Sequence, residues 1–247
     1  MSDHAMSNRR TPRKAMPAAG LLCGLMLCAL LYAAPDHSDA SLERHCPAAA
    51  KWIAAKKSEQ ALAQPRHQGP AAKPDLRKEL EQRVAADEKA RRTAFQSGSA
   101  PDKASLQAVM TVDADNLAWL KHLVARDGFP TAADVGQEGV GDAWLLVQHA
   151  DRDPAFQASV LKQLKPRVKS GDITTHDYAM LVDRVRLAQG KKQLYGSQIE
   201  AKDGAYLPKP TEEPAHLDLR REHMDMMPIA DYLCVIRASY GPPPKAH

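Results

Sequence analysis

Ala143-Trp144-Leu145-Leu146-Val147-Gln148-His149-Ala150-Asp151 is an almost wholly apolar stretch that runs directly into an amide, an imidazole and a carboxylate. With Val140 the apolar residues cover most of a helix circumference, so a helix over about Gln137 to His149 belongs in the middle of a helical domain. Polar groups at the end of a buried helix need partners, because burying each without one costs several kcal/mol. Gln148, His149 and Asp151 therefore mark either a satisfied core network or a site.

The segments on either side repeat the helical period. Upstream, Leu76, Leu80, Val84 and Phe95 fall within a roughly 100° arc, and Asp87 and Arg91 lie inside it. An acid and a base four residues apart on an inward face belong either to a salt bridge at the rim or to the His149 network. A helix is expected from Asp113, its cap, to Arg126, ending at Asp127-Gly128-Phe129-Pro130. Downstream, Asp153 caps a helix that Pro154 opens and Pro166 should kink or split. Another starts at Thr174 or Thr175, carries Asp183 and Arg184, and ends before Gly190. Alternation through Gln193, Tyr195, Ser197 and Ile199, then Asp203-Gly204 before Ala205-Tyr206-Leu207, predicts a small β-hairpin. Two short helices, about His216 to Asp225 and Pro228 to Ser239, close the fold. The expected architecture is mainly α: five to seven helices in a compact bundle with one hairpin in the C-terminal third.

The N-terminal part follows different rules. Arg9, Arg10, Arg13 and Lys14 precede an apolar run of 17 residues, Ala18 to Ala34, followed by Ser38-Asp39-Ala40. Residues 1–40 read as a signal peptide cleaved before Ser41, with an uncleaved inner-membrane anchor through residues 18–34 as the alternative. The expected location is accordingly periplasmic or secreted. Residues 41–73 carry six Lys/Arg against two Asp/Glu, include an alanine-rich helix over Pro47 to Gln64, and break at Pro65-Arg66-His67-Gln68-Gly69-Pro70. They read as a basic tether to a domain at 74–240, with residues 241–247 a disordered tail.

Beyond residue 40 only Cys46 and Cys234 remain of the four cysteines. In an oxidising compartment a disulfide would close a long loop and stabilise the fold by on the order of 4 kcal/mol; two separate buried thiols are the alternative.

Charge limits the partners. The net charge is +4, yet residues 74–247 hold 24 Lys/Arg against 25 Asp/Glu, with no basic stripe interleaved with aromatics, which disfavours nucleic acid. An unidentified ligand or an envelope protein is the expected partner, with membrane contact only through an uncleaved N-terminal segment.

Asp87-Glu88-x-x-Arg91, Phe129-Pro130, Val135-Gly136, Ala143-Trp144-Leu145 with Gln148-His149-Ala150-Asp151, Phe156-Gln157, Asp183-Arg184 and Gln193-Leu194-Tyr195-Gly196-Ser197-Gln198 together resemble a bacterial domain family of unknown function. The likeness spans about residues 74–236; Ser197 stands where threonine is expected, and Glu88 where glutamine is expected. The resemblance brings no established activity and names no cofactor.

Chemistry therefore has to be read from the residues. One arrangement makes His149 a general base oriented by Asp151 or Asp183, with Arg91 or Arg184 meeting a developing anion and water as the nucleophile. His149, Asp151, Asp183 and Arg184 are its candidate catalytic groups, while Asp87, Arg91, Gln148, Gln193, Tyr195 and Gln198 are candidate binding groups. A metal held by His149, Asp151, Asp87 and Asp183 is weaker, because His-x-Asp spacing is common by chance, and no metal ligand is assigned. His176-Asp177 resembles the pair that names a class of metal phosphohydrolases, but a helix N-terminus already accounts for Asp177. Gly136-x-x-Gly139-x-Gly141 lacks the preceding strand of a phosphate loop. The non-enzymatic alternative is an envelope binding or structural module in which the same polar residues tie the hairpin to the bundle.

Overall fold

The computed structural model describes residues 39–62, 69–95 and 101–243. The leader over residues 1–38, including the signal-peptide or anchor reading, residues 65–68 and the tail from 244 lie outside it. Among the described residues are nine α-helices and one hairpin: α1 Asp39–His45, α2 Pro47–Leu62, α3 Pro74–Phe95, α4 Lys103–Asp127, α5 Ala132–Gln148, α6 Pro154–Ser170, α7 Thr175–Ala188, β1 Ile199–Lys202, β2 Ala205–Pro208, α8 Leu217–His223 and α9 Ile229–Tyr240. The mainly α reading holds. No helix among the described residues is long and apolar enough to cross a membrane.

α5 occupies the centre because it is apolar on nearly every side: Val140, Ala143, Trp144, Leu145, Leu146 and Val147 are all buried, and it packs on α3, α4, α6 and α7. Thr131 and Asp134 form a capping box at its start. Gly136, at φ 75°, interrupts the backbone, so the continuous run begins at Gln137 as its periodicity indicates. Gly139 allows close approach to α3, since a Cβ there would lie 2.7 Å from Val135 and 2.9 Å from Arg77. Gly139 thus serves helix packing, while Gly136 marks the break ahead of it.

Three boundaries differ from expectation. α4 starts ten residues early, capped by Asp102, whose side chain accepts from the Ser105 amide at 2.7 Å. Asp113 is thus no cap; it lies mid-helix on the buried stripe Val109, Asp113, Asn116, Leu120 and Leu123. Pro166 does not split α6, which continues to Ser170. Pro166 and Lys162, whose carbonyl loses its partner, are both exposed, so water can take the freed acceptor. The alternation from Gln193 to Gln198 is not a strand: the antiparallel ladder runs from Ile199 opposite Pro208 to Lys202 opposite Ala205, and the preceding residues form a loop.

Two apolar cores result. The larger joins α3 to α7 around Leu80, Leu120, Phe129, Trp144, Val160 and Leu181. The smaller joins Cys46 and Ala49 to Ile199, Met227, Tyr232 and Ile236, with Trp52 and Ile53 packed against it. Residues 42–56, read as part of a solvated tether, are therefore docked. Cys46 is bonded to Cys234, with Cα atoms 5.9 Å apart, and Lys56 pairs with Asp225 at 2.6 Å.

Candidate functional site

α3, α4 and the end of α5 each place one turn of their buried face at the same point. From α3 come Asp87 and Arg91, one helical turn apart and 1% and 3% exposed. α4 supplies Asp113, and α5 supplies His149 at its C-cap. Arg91 Nε lies 3.2 Å from each Asp87 oxygen, and Arg91 Nη2 donates to Asp113. His149 Nδ1 approaches the Asp87 oxygens at 2.9 and 3.0 Å and Arg91 Nε at 3.1 Å. Because the ionised carboxylate is the stronger acceptor, we assign the Nδ1 proton to the bond with Asp87. That tautomer leaves the lone pair on Nε2. His149 Nε2 and Arg91 Nη1 are both buried and hydrogen-bonded to nothing among the described residues.

The charges distribute unevenly. Burial raises the Asp87 carboxyl, but His149 and Arg91 outweigh it and hold it below its ordinary value. Asp113 goes the other way: burial, with the negative charges of Asp87 and Asp151, outweighs Arg91 and pushes it up to about 7. Burial, then the Arg91 charge, lowers the His149 pKa, so the imidazole is neutral at neutral pH.

A second group continues the network toward solvent. Arg184 on α7 donates from Nη1 to both Asp151 oxygens at 2.5 and 2.7 Å and from Nε to Gln148 Oε1 at 2.8 Å. Gln157 Nε2 donates to the Val147 and Gln148 carbonyls at 3.0 and 3.2 Å, so α6 helps to close the C-terminus of α5. Asp151 is the accessible end of the arrangement, its side chain 30% exposed against 6% for His149.

A model of a family of unknown function, DUF6624, matches residues 74–245. The chain belongs to that family. No curated protein and no solved structure matches it. The DUF6624 region begins at α3 and so contains the whole polar centre, while α1, α2 and Cys46 precede it.

Within the DUF6624 domain, the residues singled out by sequence divide into two places. His149, Asp87, Arg91, Gln148, Asp151 and Arg184 come together as described. Asp183, Gln193, Tyr195 and Gln198 serve the loop ahead of the hairpin instead. The buried Asp183 carboxylate accepts from the amides of Leu194, Tyr195 and Ser197 at 2.6, 3.0 and 3.0 Å. Burial raises its pKa against the pull of those amides. Gln193 Nε2 donates to the Gln198 and Lys209 carbonyls, and its Oε1 accepts from the Gln198 amide. Tyr195 contributes its backbone, its carbonyl accepting from Arg221 Nη1 at 2.6 Å. Gly196, at φ 64°, is needed because a Cβ would lie 3.2 Å from Leu217. The hairpin is thus tied to the bundle through Asp183, and His149 and Asp151 take no part in that tie.

Sequence reasoning missed Asp113 and Arg221. Starting α4 at Asp102 would have placed Asp113 on the stripe with Val109 and Leu120, so the missing signal was the cap. Arg221, 1% exposed, donates from Nε to the Met227 carbonyl at 2.6 Å and stacks on Tyr232; its place in a short polar helix gives no hint of burial. Among the described residues, Asp87, Asp113 and His149 are near enough together to hold a cation. The Arg91 guanidinium already bonds to both of these carboxylates and meets the imidazole, so a positive group of the protein's own fills that role. His176 and Asp177 stand in the first turn of α7, where the Thr174 side chain accepts from the Asp177 amide, and are not part of that group.

Proposed function

We propose that the Asp87–Arg91–Asp113–His149 centre is a proton-transfer site in an exported domain, with His149 as general base toward a bound water. The observation that carries this is the pair of buried, unpartnered atoms on touching side chains, His149 Nε2 and Arg91 Nη1. Such atoms are rare in folded proteins, and each costs about 1–3 kcal/mol if left unmet. A water can donate one hydrogen to Nε2 and accept from Nη1. Asp87 fixes the tautomer, and the lowered pKa keeps the base unprotonated. In hydrolysis the water proton passes to Nε2 as its oxygen bonds to an acyl or phosphoryl centre. Arg91 meets the resulting anion, and the leaving group takes its proton from the imidazolium or from Asp113. Export rests on the charged and apolar leader and is supported by the Cys46–Cys234 bond, since disulfides persist in oxidising compartments.

A second reading is favoured by the 5% exposure of His149: a core network that fixes the end of α5, in an envelope module whose outer surface meets its partner. His149→Ala in the full chain separates the two. The test is hydrolysis of p-nitrophenyl acetate and p-nitrophenyl phosphate, run beside thermal unfolding. A wild-type activity reduced about 100-fold by the substitution, with melting nearly unchanged, is the result expected of a base. Absence of turnover in the wild type, with a few kcal/mol of stability lost in the variant, would establish the structural role instead.

A further inference from the structure

One helical turn from Asp87 and Asp113 on their respective helices, the groove between α3 and α4 holds polar groups that the His149 centre does not use. Arg83 donates to Glu79 at 2.7 Å, to Asp115 at 2.8 Å and to Asn116 Oδ1 at 3.0 Å, and its guanidinium lies 4.5 Å from the centre of the Trp119 ring. It is thereby fixed in place and its charge offset. The bond from Arg83 also settles which end of the Asn116 amide is oxygen. Asn116 is 4% exposed, and its Nδ2 has no partner among the described residues. Beside it is a cleft of about 280 Å³, walled by Gln82 and Thr111 with Ala86 and Val112 as its apolar part.

We propose that this cleft binds a neutral, hydroxyl-rich ligand the size of one sugar ring. An amide donor on Asn116 without a partner among the described residues, the exposed amide of Gln82 and two carboxylates held by one arginine offer both donors and acceptors on planar groups, which suits neighbouring hydroxyls. Ala86 and Val112 provide a small surface for a C–H face. Two carboxylates against one guanidinium leave the groove without a positive excess, so an anionic ligand is disfavoured. The volume is near the low end for small-molecule sites, which limits the occupant to about one ring. Asn116 Nδ2 donates to a hydroxyl oxygen of the ligand, and the Glu79 and Asp115 oxygens accept from its hydroxyls. This site goes beyond the reading of His149 and does not depend on it.

The test is titration of the ¹⁵N-labelled full chain with glucose and with N-acetylglucosamine, followed by NMR, alongside glucose 6-phosphate as the anionic control. Saturable shifts at Gln82, Thr111 and Asn116 with a neutral sugar are expected, weakened about tenfold or more by Asn116→Asp, which keeps the shape and removes the donor. Gln82→Ala, at an exposed position, should weaken binding without changing the melting temperature. His149→Ala should bind sugar as the wild type does, which separates this site from the proton-transfer reading. No saturable shift with either neutral sugar, binding indifferent to both groove substitutions, or tighter binding of the phosphorylated sugar at the same residues would each overturn the proposal.

Discussion

Asp113 is where opposing electrostatic effects meet most sharply, and its pH behaviour has a definite sign. Its carboxyl titrates near 3.8 in the unfolded chain and at about 7 when folded, so between these values the folded state binds more protons. Its contribution to stability therefore falls as pH rises through that window. His149, whose folded pKa is lowered, contributes the opposite slope up to about 6.5, and the Asp87 contribution is lost only on acidification below its ordinary range. Urea unfolding of the wild type and Asp113→Asn over pH 4 to 8 separates these effects. The stability difference should move in favour of the variant by up to a few kcal/mol as pH rises from 4 to 7 and level off above that. A difference that stays constant with pH would mean that Asp113 is ionised throughout. Much of this centre was legible in the sequence: the 3.6-residue period alone puts Asp87 and Arg91 on the inner face, and the apolar run points to His149. Asp113 was not, because its role depends on where α4 begins.

At the level of the element, the loop of residues 193–198 shows how a two-residue alternation can arise without a strand. Its polar positions are spaced by the demands of one carboxylate and one carboxamide: Asp183 collects three amides, and Gln193 ties the loop to Lys209 and Gln198. Asp183→Asn replaces one acceptor oxygen by a donor facing backbone N–H groups. It should cost about 2–4 kcal/mol and speed hydrogen exchange at Leu194, Tyr195 and Ser197 far more than at the core of α5. Uniform loss of protection would instead mean that the loop and bundle open together. Arg221 offers a parallel case, since its replacement by leucine strands the Tyr195 and Met227 carbonyls and should cost about 3 kcal/mol in thermal or chemical unfolding. Neither tie was visible from residue types alone, because an arginine or aspartate on a helix reads the same whether it meets water or backbone. The helices themselves were readable, since caps such as Asp153 and Thr174 and breaks such as Gly171 act locally.

For the molecule as a whole, two cores share one chain, and the smaller one is assembled from sequence far apart: α1 and α2 at one end, the hairpin and α9 at the other. Long-range packing of that kind leaves no periodic signature, which is why a docked α2 read as part of a tether. Replacing both Cys46 and Cys234 by serine should lower stability by about 4 kcal/mol if unfolded-chain entropy dominates, and should release the smaller core first. Denaturant unfolding with and without reductant, followed by tryptophan fluorescence at Trp52, checks this; an unchanged midpoint on reduction would show that packing alone holds the two ends. The cysteines are 188 positions apart. A mechanical pull applied between the stretch ahead of Cys46 and the stretch after Cys234 is therefore carried by a covalent bond, and the helices that hold His149 form a closed ring that bears none of the load.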